Sequence, residues 1–303
     1  MSAAAPTLHK ALPVAAASGP KAASEPRWVR AVLIGAATSF LLLFLGLPVL
    51  VVVLEAFREG LPTFFRAITA PDTLAALRLT LLATAVAVPL NAAFGLAAAW
   101  AVTRFDFPGK GLVVTLIDLP FAVSPVIAGM LFVLLFGAHG WLGPFLADHD
   151  IRVLFSPAAV VIATVFVTFP YVARELIPLF AAQGTDEELA ALVLGASGLT
   201  TFVRVTLPKA KWGLIHGLVL ATARSLGEFG AVSVVSGHIR GETNTLPLHI
   251  EATYDDQRFA EAFAIATLLL VFAAVSLVVK RVVEARSAAD APHQAPAQSG
   301  GES

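Results

Sequence analysis

Cysteine is absent from the 303-residue chain, and charge is scarce: Asp, Glu, Lys and Arg together make up 14% of it. Without thiols there is no disulfide framework, no thiolate metal site and no cysteine nucleophile. Soluble domains carry about 25% charged residues, so a soluble globular enzyme and a solvated, disordered chain are both excluded. The net charge of −1 leaves no basic excess with which to hold nucleic acid. A phosphate-binding loop is missing as well. The one Gly-Lys pair, Gly109-Lys110, has Arg104 where the loop's first glycine belongs and Gly111 where Ser or Thr is needed. No cysteine or clustered histidine accompanies His216, so it reads as a span-boundary residue and no metal is expected. What the chain has in excess is apolar surface: 57% of its residues are hydrophobic and the mean hydropathy is +0.82.

A membrane-crossing helix needs about 20 mainly apolar residues to span roughly 30 Å of hydrocarbon. Stretches 31–54, 79–103, 153–173 and 262–279 carry no charge. Stretch 112–136 is interrupted only by Asp118, and 212–235 by His216, Arg224 and Glu228. The expectation is an all-α polytopic membrane protein with six transmembrane helices and both termini on one side. Thirteen Lys and Arg residues fall on the side of the termini and six on the other. Positive charge marks the cytoplasmic side, so the chain is read as N-in and C-in. It divides into a tail at 1–27, a first helix with its outer loop at 28–74, a core at 75–282, and a second tail at 283–303. Both tails are rich in small and polar residues that cannot bury a core and are expected to be mobile. Basic residues precede the first span, as in a signal peptide. Its apolar run exceeds the usual length of about 7–15 residues, however, and no small-x-small site closes it, so it is read as uncleaved.

The longest expected cytoplasmic connection, 174–211, carries the most informative local pattern. Thr185-Asp186-Glu187-Glu188 reads as a capping box, with the Thr185 hydroxyl and the Glu188 carboxylate exchanging bonds with backbone N–H groups. Leu189, Leu192, Val193 and Ala196 follow at helical spacing, and Gly198 is placed to stop the helix. Two readings fit a short helix with one apolar stripe: packing on its own membrane helices or the lipid surface, and docking into a groove of a soluble partner. Lipid-surface helices carry Lys and Arg on their polar face, whereas this one is acidic, which favours docking.

Several stretches resemble one family. Ala190-Ala191, three residues, Gly195, nine residues and Val205-Thr206-Leu207-Pro208 is similar to the EAA loop of ABC importer permeases, which runs Glu-Ala-Ala, three residues, Gly, nine residues, Ile-x-Leu-Pro. The motif's Glu position is Leu189 here; Glu188 or Glu187 stands beside it. Leu119-Pro120-Phe121-Ala122-Val123-Ser124-Pro125 and Leu226-Gly227-Glu228-Phe229-Gly230-Ala231-Val232 resemble the sulfate/thiosulfate permease pair, and 236–247 resembles its W-type subunit. Molybdate permeases share Gly-Glu-Phe-Gly, so a molybdate or tungstate permease is the alternative. The resemblance runs from about residue 30 to 281. It implies a type-1 ABC transmembrane fold in a bacterial inner membrane, with no cofactor and no catalytic residue in this chain. It also implies a second homologous permease subunit, cytoplasmic ATPase subunits and a periplasmic sulfate-binding protein. The coupling loop would be Glu188, Leu189, Ala190, Ala191, Gly195, Leu207 and Pro208.

Polar residues inside apolar runs are expensive and therefore informative. Arg224 and Glu228 are four apart and share a helix face; they are read as a clamp or gate, or as part of the anion path. Pro120 and Pro125 free backbone carbonyls that either line a polar path or merely kink a helix, which makes Ser124 and Pro125 pathway candidates. Gly213, Gly217 and Ala221 read as close-packing positions, and Asp118 as a simple cap. On the expected outer face Arg240, Thr243, Asn244 and Thr245 are donors suited to a binding protein or a passing oxyanion, or they form an ordinary polar loop. Two other classes are weaker. A self-contained secondary anion carrier would show matched halves, and none is evident. An intramembrane hydrolase would need Ser225 and His216 in register, but nine residues of helix separate them.

Overall fold

A computed structural model describes residues 26–290; the greater part of both expected tails, 1–25 and 291–303, lies outside the described residues. The chain divides into two units, one up to Leu50 and one from Val51. In the first, α1 (Arg27–Leu41) passes through a π turn, Leu42–Gly46, into the start of α2 (Leu47–Ala56), whose residues 51–56 belong to the second unit. Pro48 explains the turn. It lacks an N–H and its ring strikes the carbonyl four residues back, so the helix widens and the Leu47 N–H bonds to the Leu42 carbonyl.

The second unit is built on α4 (Pro71–Arg104) and α8 (Pro157–Gln183). Asp72 in the first turn of α4 and Arg104 in its last complement the helix dipole. Small residues let the two helices meet: a Cβ on Gly95 would lie 2.8 Å from the Val172 Cβ. The other helices, in order, are α3 (Leu61–Thr69), α5 (Lys110–Ala122), α6 (Pro125–Phe136), α7 (Gly143–Asp148), α9 (Asp186–Val193) and α10 (Gly198–Thr201). They are followed by α11 (Leu207–Leu226), α12 (Gly230–Val235), α13 (Leu246–Asp255) and α14 (Phe259–Asp290). A second π turn, Phe202–Thr206, joins α10 to α11 just before Leu207-Pro208, repeating the relation seen at Pro48. α11 lies on α8 through Gly217, whose Cβ position is 3.1 Å from the Val172 Cα; the Gly213, Gly217 and Ala221 series packs there. Burying such faces at roughly 25 cal/mol per Å² of apolar area holds the helices together only where water is the alternative, so small-residue contact dominates within lipid.

Among the described residues there is no strand. Among the described residues four helices are long and apolar enough to cross a membrane: Arg27–Ala56, Pro71–Arg104, Pro157–Gln183 and Phe259–Ser287. A fifth span exists if α5 and α6, bent by 111° at their junction, count as one. The stretch expected as one span at 212–235 is instead split between α11 and α12. A total of six is compatible with this arrangement once both broken pairs are counted. α14 continues to Asp290, past the expected boundary at 282, and Val283 is buried.

Candidate translocation and coupling sites

Two breaks interrupt the helices of the second unit, and the structure brings them together. The first lies between α5 and α6. A residue preceding proline is driven out of the helical region, and Ser124 is extended at φ −56°, ψ 135° before Pro125 restarts the helix. The second lies at Gly227-Glu228-Phe229, between α11 and α12. A Cβ on Gly230 would lie 2.8 Å from the Pro125 Cβ, and one on Gly129 would lie 2.8 Å from both the Ala231 carbonyl and the Val234 Cβ. Both glycines are therefore required by approach. The two stretches that resemble sulfate permeases form one crossing point.

Glu228 organises this crossing. One carboxylate oxygen lies 2.6 Å from Arg224 Nη1, and the other accepts the Ala231 N–H at 3.0 Å. Its side chain is 1% exposed against 29% for Arg224. Each charge also sits where a helix end favours it, Arg224 in the last turn of α11 and Glu228 before the first turn of α12. A buried carboxylate is tolerable only with such partners. Because α11 stops at Leu226, the pair bridges a helix end and does not line one uninterrupted face. Beside it runs a buried polar layer of which the sequence pattern singled out Ser225 alone. Asn91 Nδ2 donates to the Thr168 hydroxyl at 2.7 Å, and Ser225 Oγ lies 3.5 Å from that same oxygen. Thr168 gave no signal because a helical Thr satisfies its hydroxyl on its own backbone, as it does at the Thr164 carbonyl, 2.6 Å.

The loop expected to dock a partner differs from its sequence reading in three respects. The Thr185 side chain makes no cap hydrogen bond, so the capping box does not form. Glu188 turns instead to Arg104, with Oε2 2.8 Å from Nε and Oε1 3.1 Å from Nη2, and accepts the Thr206 hydroxyl at 2.7 Å. A charged guanidinium outcompetes a backbone N–H for a carboxylate. The helix also stops earlier than expected. Gly195, at φ 88°, ends it in a Schellman motif, with Ala196 N–H to the Ala191 carbonyl at 3.0 Å and Gly195 N–H to Leu192 at 3.0 Å. Gly198 does not stop the helix but opens α10, where the Ser197 hydroxyl accepts the Thr200 N–H. A Cβ on Gly195 would meet no atom within 4 Å, so conformation and not approach requires this glycine. Leu189, Leu192, Val193 and Leu194 are exposed, the last two at 87% and 88%. Ala190 and Pro208 are exposed too, while Ala191 and Leu207 are half-buried.

The expected outer-face donors are corrected by burial. Thr243 and Asn244 are 1% and 2% exposed, and Thr245 is also buried, so none presents a donor on the surface of this chain. The loop turns inward because the Thr243 hydroxyl accepts the Ile239 N–H and the Leu246 N–H bonds to Thr80 Oγ1 at 2.8 Å. Arg240 remains at the surface but is paired with Asp256 at 2.7 Å. Two further residues change role. Asp118 is not a cap but an ion-pair partner of Arg174, 2.7 Å away. His216 is a bridge, with Nδ1 2.9 Å from Glu175 Oε2. No group of three or more metal-ligating side chains occurs among the described residues.

Residues 91–288 match the family described as binding-protein-dependent transport system inner membrane component. The chain is similar to the sulfate transport system permease protein CysW of Synechococcus elongatus, with 49% identity over 84% of this chain and 89% of that protein. It is also similar to the sulfate transport system permease protein CysW of Escherichia coli K12, with 45% identity over 86% of this chain and 89% of that protein. Among solved structures, a bacterial alginate ABC transporter in complex with an alginate pentasaccharide-bound periplasmic protein matches with a TM-score of 0.69 and 16% identity. That match covers 86% of this chain and 94% of the transporter chain, and it speaks to the fold.

Proposed function

The chain belongs to the binding-protein-dependent transport system inner membrane component family, and from that premise we propose that it is a membrane-spanning permease subunit of an ATP-driven importer of sulfate and thiosulfate. It is a permease subunit and not an enzyme; ATP hydrolysis belongs to a partner. The observation that carries the substrate reading is its 45% to 49% identity to sulfate permeases over most of both chains. The resemblance of the two crossing segments supports the same reading, though molybdate permeases share one of them.

In this reading the chain sits in the inner membrane, N-in and C-in, beside a second homologous permease subunit. A periplasmic sulfate-binding protein delivers the anion to the outer mouth. Cytoplasmic ATPase subunits close on ATP and pull on α9 and its equivalent, and the two permease subunits rock open outward. Exposed Leu189, Leu192, Val193 and Leu194 supply the apolar contact for a cleft on the ATPase, while the acidic first turn keeps the helix off anionic lipid. The crossing of Ser124-Pro125 with Gly227–Gly230 serves as the gate. Two helices interrupted at the same point leave backbone polar groups that a moving segment can expose or cover. Glu228 would repel an anion, so its pairing to Arg224 makes a clamp that holds the gate segment in place and not a ligand for sulfate. Arg240, held by Asp256, is the remaining outer-face candidate.

Uptake of radiolabelled sulfate, thiosulfate and molybdate by cells lacking this subunit, with and without its restoration, tests the reading. Restored uptake of sulfate and thiosulfate alone is expected. Restoration of molybdate uptake alone would replace it with the molybdate alternative.

A further inference from the structure

Resting on the reading of α9 as the ATPase contact, we propose that Arg104, Glu188 and Thr206 form the linkage that carries displacement of α9 into the membrane helices, with Arg104 and Glu188 as positioning residues for coupling. A helix that is to move a membrane domain must be attached to it by something stiffer than its own packing. α9 has no buried residue, and its two backbone connections pass through Gly184 and Gly195, both at positive φ. Its second ionic tether, Glu187 to Lys209 at 2.9 Å, is solvent-exposed at 64% and 31% and is weakened by screening. Glu188 is the stronger hold. Its side chain and that of Arg104 are 16% and 7% exposed, and both carboxylate oxygens face the guanidinium.

This one pair ties four elements. Arg104 is the last residue of α4, and its Nη1 donates to the Phe180 carbonyl of α8 at 3.0 Å. Glu188 belongs to α9, and it receives the hydroxyl of Thr206, the last residue of the π turn leading into α11. Trp100 of α4 packs edge-on against Phe105 and against Phe202 of the π turn, with ring centroids 5.3 Å apart in each case, so a ring contact also joins α4 to that turn. α4, α8 and α11 are the helices that frame the Asn91–Thr168–Ser225 layer beside Arg224 and Glu228. A pull on Glu188 is therefore delivered to the helices that position the gate. One hydrogen bond, Nη2 to Oε1, and a second close ionic contact, Nε to Oε2, hold the pair at two points, and a charge-assisted contact of this kind resists separation, which a transmitting joint requires.

The test uses the complete transporter in proteoliposomes with its binding protein, and reads ATPase retention, ATP hydrolysis and sulfate taken up per ATP hydrolysed. Glu188→Gln and Arg104→Gln are expected to retain the ATPase within twofold while sulfate per ATP falls at least fivefold. The exchanged pair, Arg104→Glu with Glu188→Arg, should recover the ratio to within threefold of the unmodified protein. If either single variant fails to assemble, Thr206→Val removes one contact to Glu188 and should still lower the ratio at least twofold. Unchanged ratios in the assembled variants overturn the linkage, as does an exchanged pair no better than the single variants. A disulfide or bifunctional crosslink from Leu192→Cys to the ATPase separates the two ideas. Its absence overturns the docking of α9, whereas its presence with unchanged ratios overturns the linkage alone.

Discussion

Gly230 rests against Pro125 so closely that a Cβ on Gly230 would lie 2.8 Å from the Pro125 Cβ. Both residues lie at helix breaks, so a side chain added at Gly230 must displace one break or the other. Gly230→Ala is expected to lower sulfate uptake at least tenfold while the protein still reaches the membrane and retains the ATPase. Gly35→Ala, where a Cβ would meet no atom within 4 Å, should leave uptake within twofold. Equal uptake in the two variants would remove the crossing from the transport path.

Arg224 and Glu228 should behave as a pair. Removing one partner of a buried ion pair strands the other charge, at a cost of about 3–5 kcal/mol. Arg224→Met and Glu228→Gln are each expected to reduce assembled protein severely, and the double variant to lose less than the sum. Gln keeps an oxygen for the Ala231 N–H, whereas Arg224→Met strands a carboxylate that is 1% exposed, so Arg224→Met is the worse of the two. Quantified membrane protein from all three variants gives the cycle, and strictly additive losses would show that the charges act independently.

At Gly195 the expected penalty comes from the backbone. Its φ of 88° disfavours any residue with a Cβ by roughly 1 kcal/mol or more, although nothing nearby would clash. Gly195→Asn should therefore keep uptake within threefold, since Asn visits this region, while Gly195→Val should lower it further. A clash-based role would instead order the variants by side-chain volume alone, with Ala best tolerated.

Topology can be read with thiols, because the chain has no native cysteine. Asp255 and Leu199 are both exposed. In whole cells an impermeant thiol reagent should label Asp255→Cys and not Leu199→Cys. Thr243, buried at 1%, would be a poor probe. Labelling at Leu199 alone would invert the assigned orientation and remove α9 from the cytoplasm.

His249 supplies a pH dependence. Thr73 donates its hydroxyl to the Ala67 carbonyl, so the ring donates from Nε2 to Thr73 Oγ1 across 3.1 Å. Burial holds its pKa below the ordinary histidine value of 6.5, with Asp72 partly opposing. A group with a depressed folded pKa contributes stability that is complete above its unfolded pKa and falls as pH drops through that value. Thermal stability of the purified protein should decline on acidification below about 6.5, and the decline should be smaller in His249→Gln. Identical declines would assign the effect to other groups.

The sequence alone determined the class of the protein, because hydrocarbon length and the cost of charge act residue by residue and need no knowledge of neighbours. The uncharged run at 79–103 falls inside α4, and that at 153–173 lies in α8 from Pro157 on, and the prolines at 48 and 208 mark the two π turns for the same local reason. The spacing from Ala190 to Pro208 also carries the resemblance to the EAA loop. What each polar side chain does was decided only by the tertiary structure. Glu188 looked like a cap because a capping box is the nearest partner in sequence, yet Arg104, 84 residues away, reaches it and is the stronger partner. Thr243 and Asn244 looked exposed because polar loops usually are, but the chain turns inward there to meet Thr80. The meeting of Pro125 with Gly230 was equally invisible. Each segment records its own break, and only the packing of one helix on another places the two breaks at a single point.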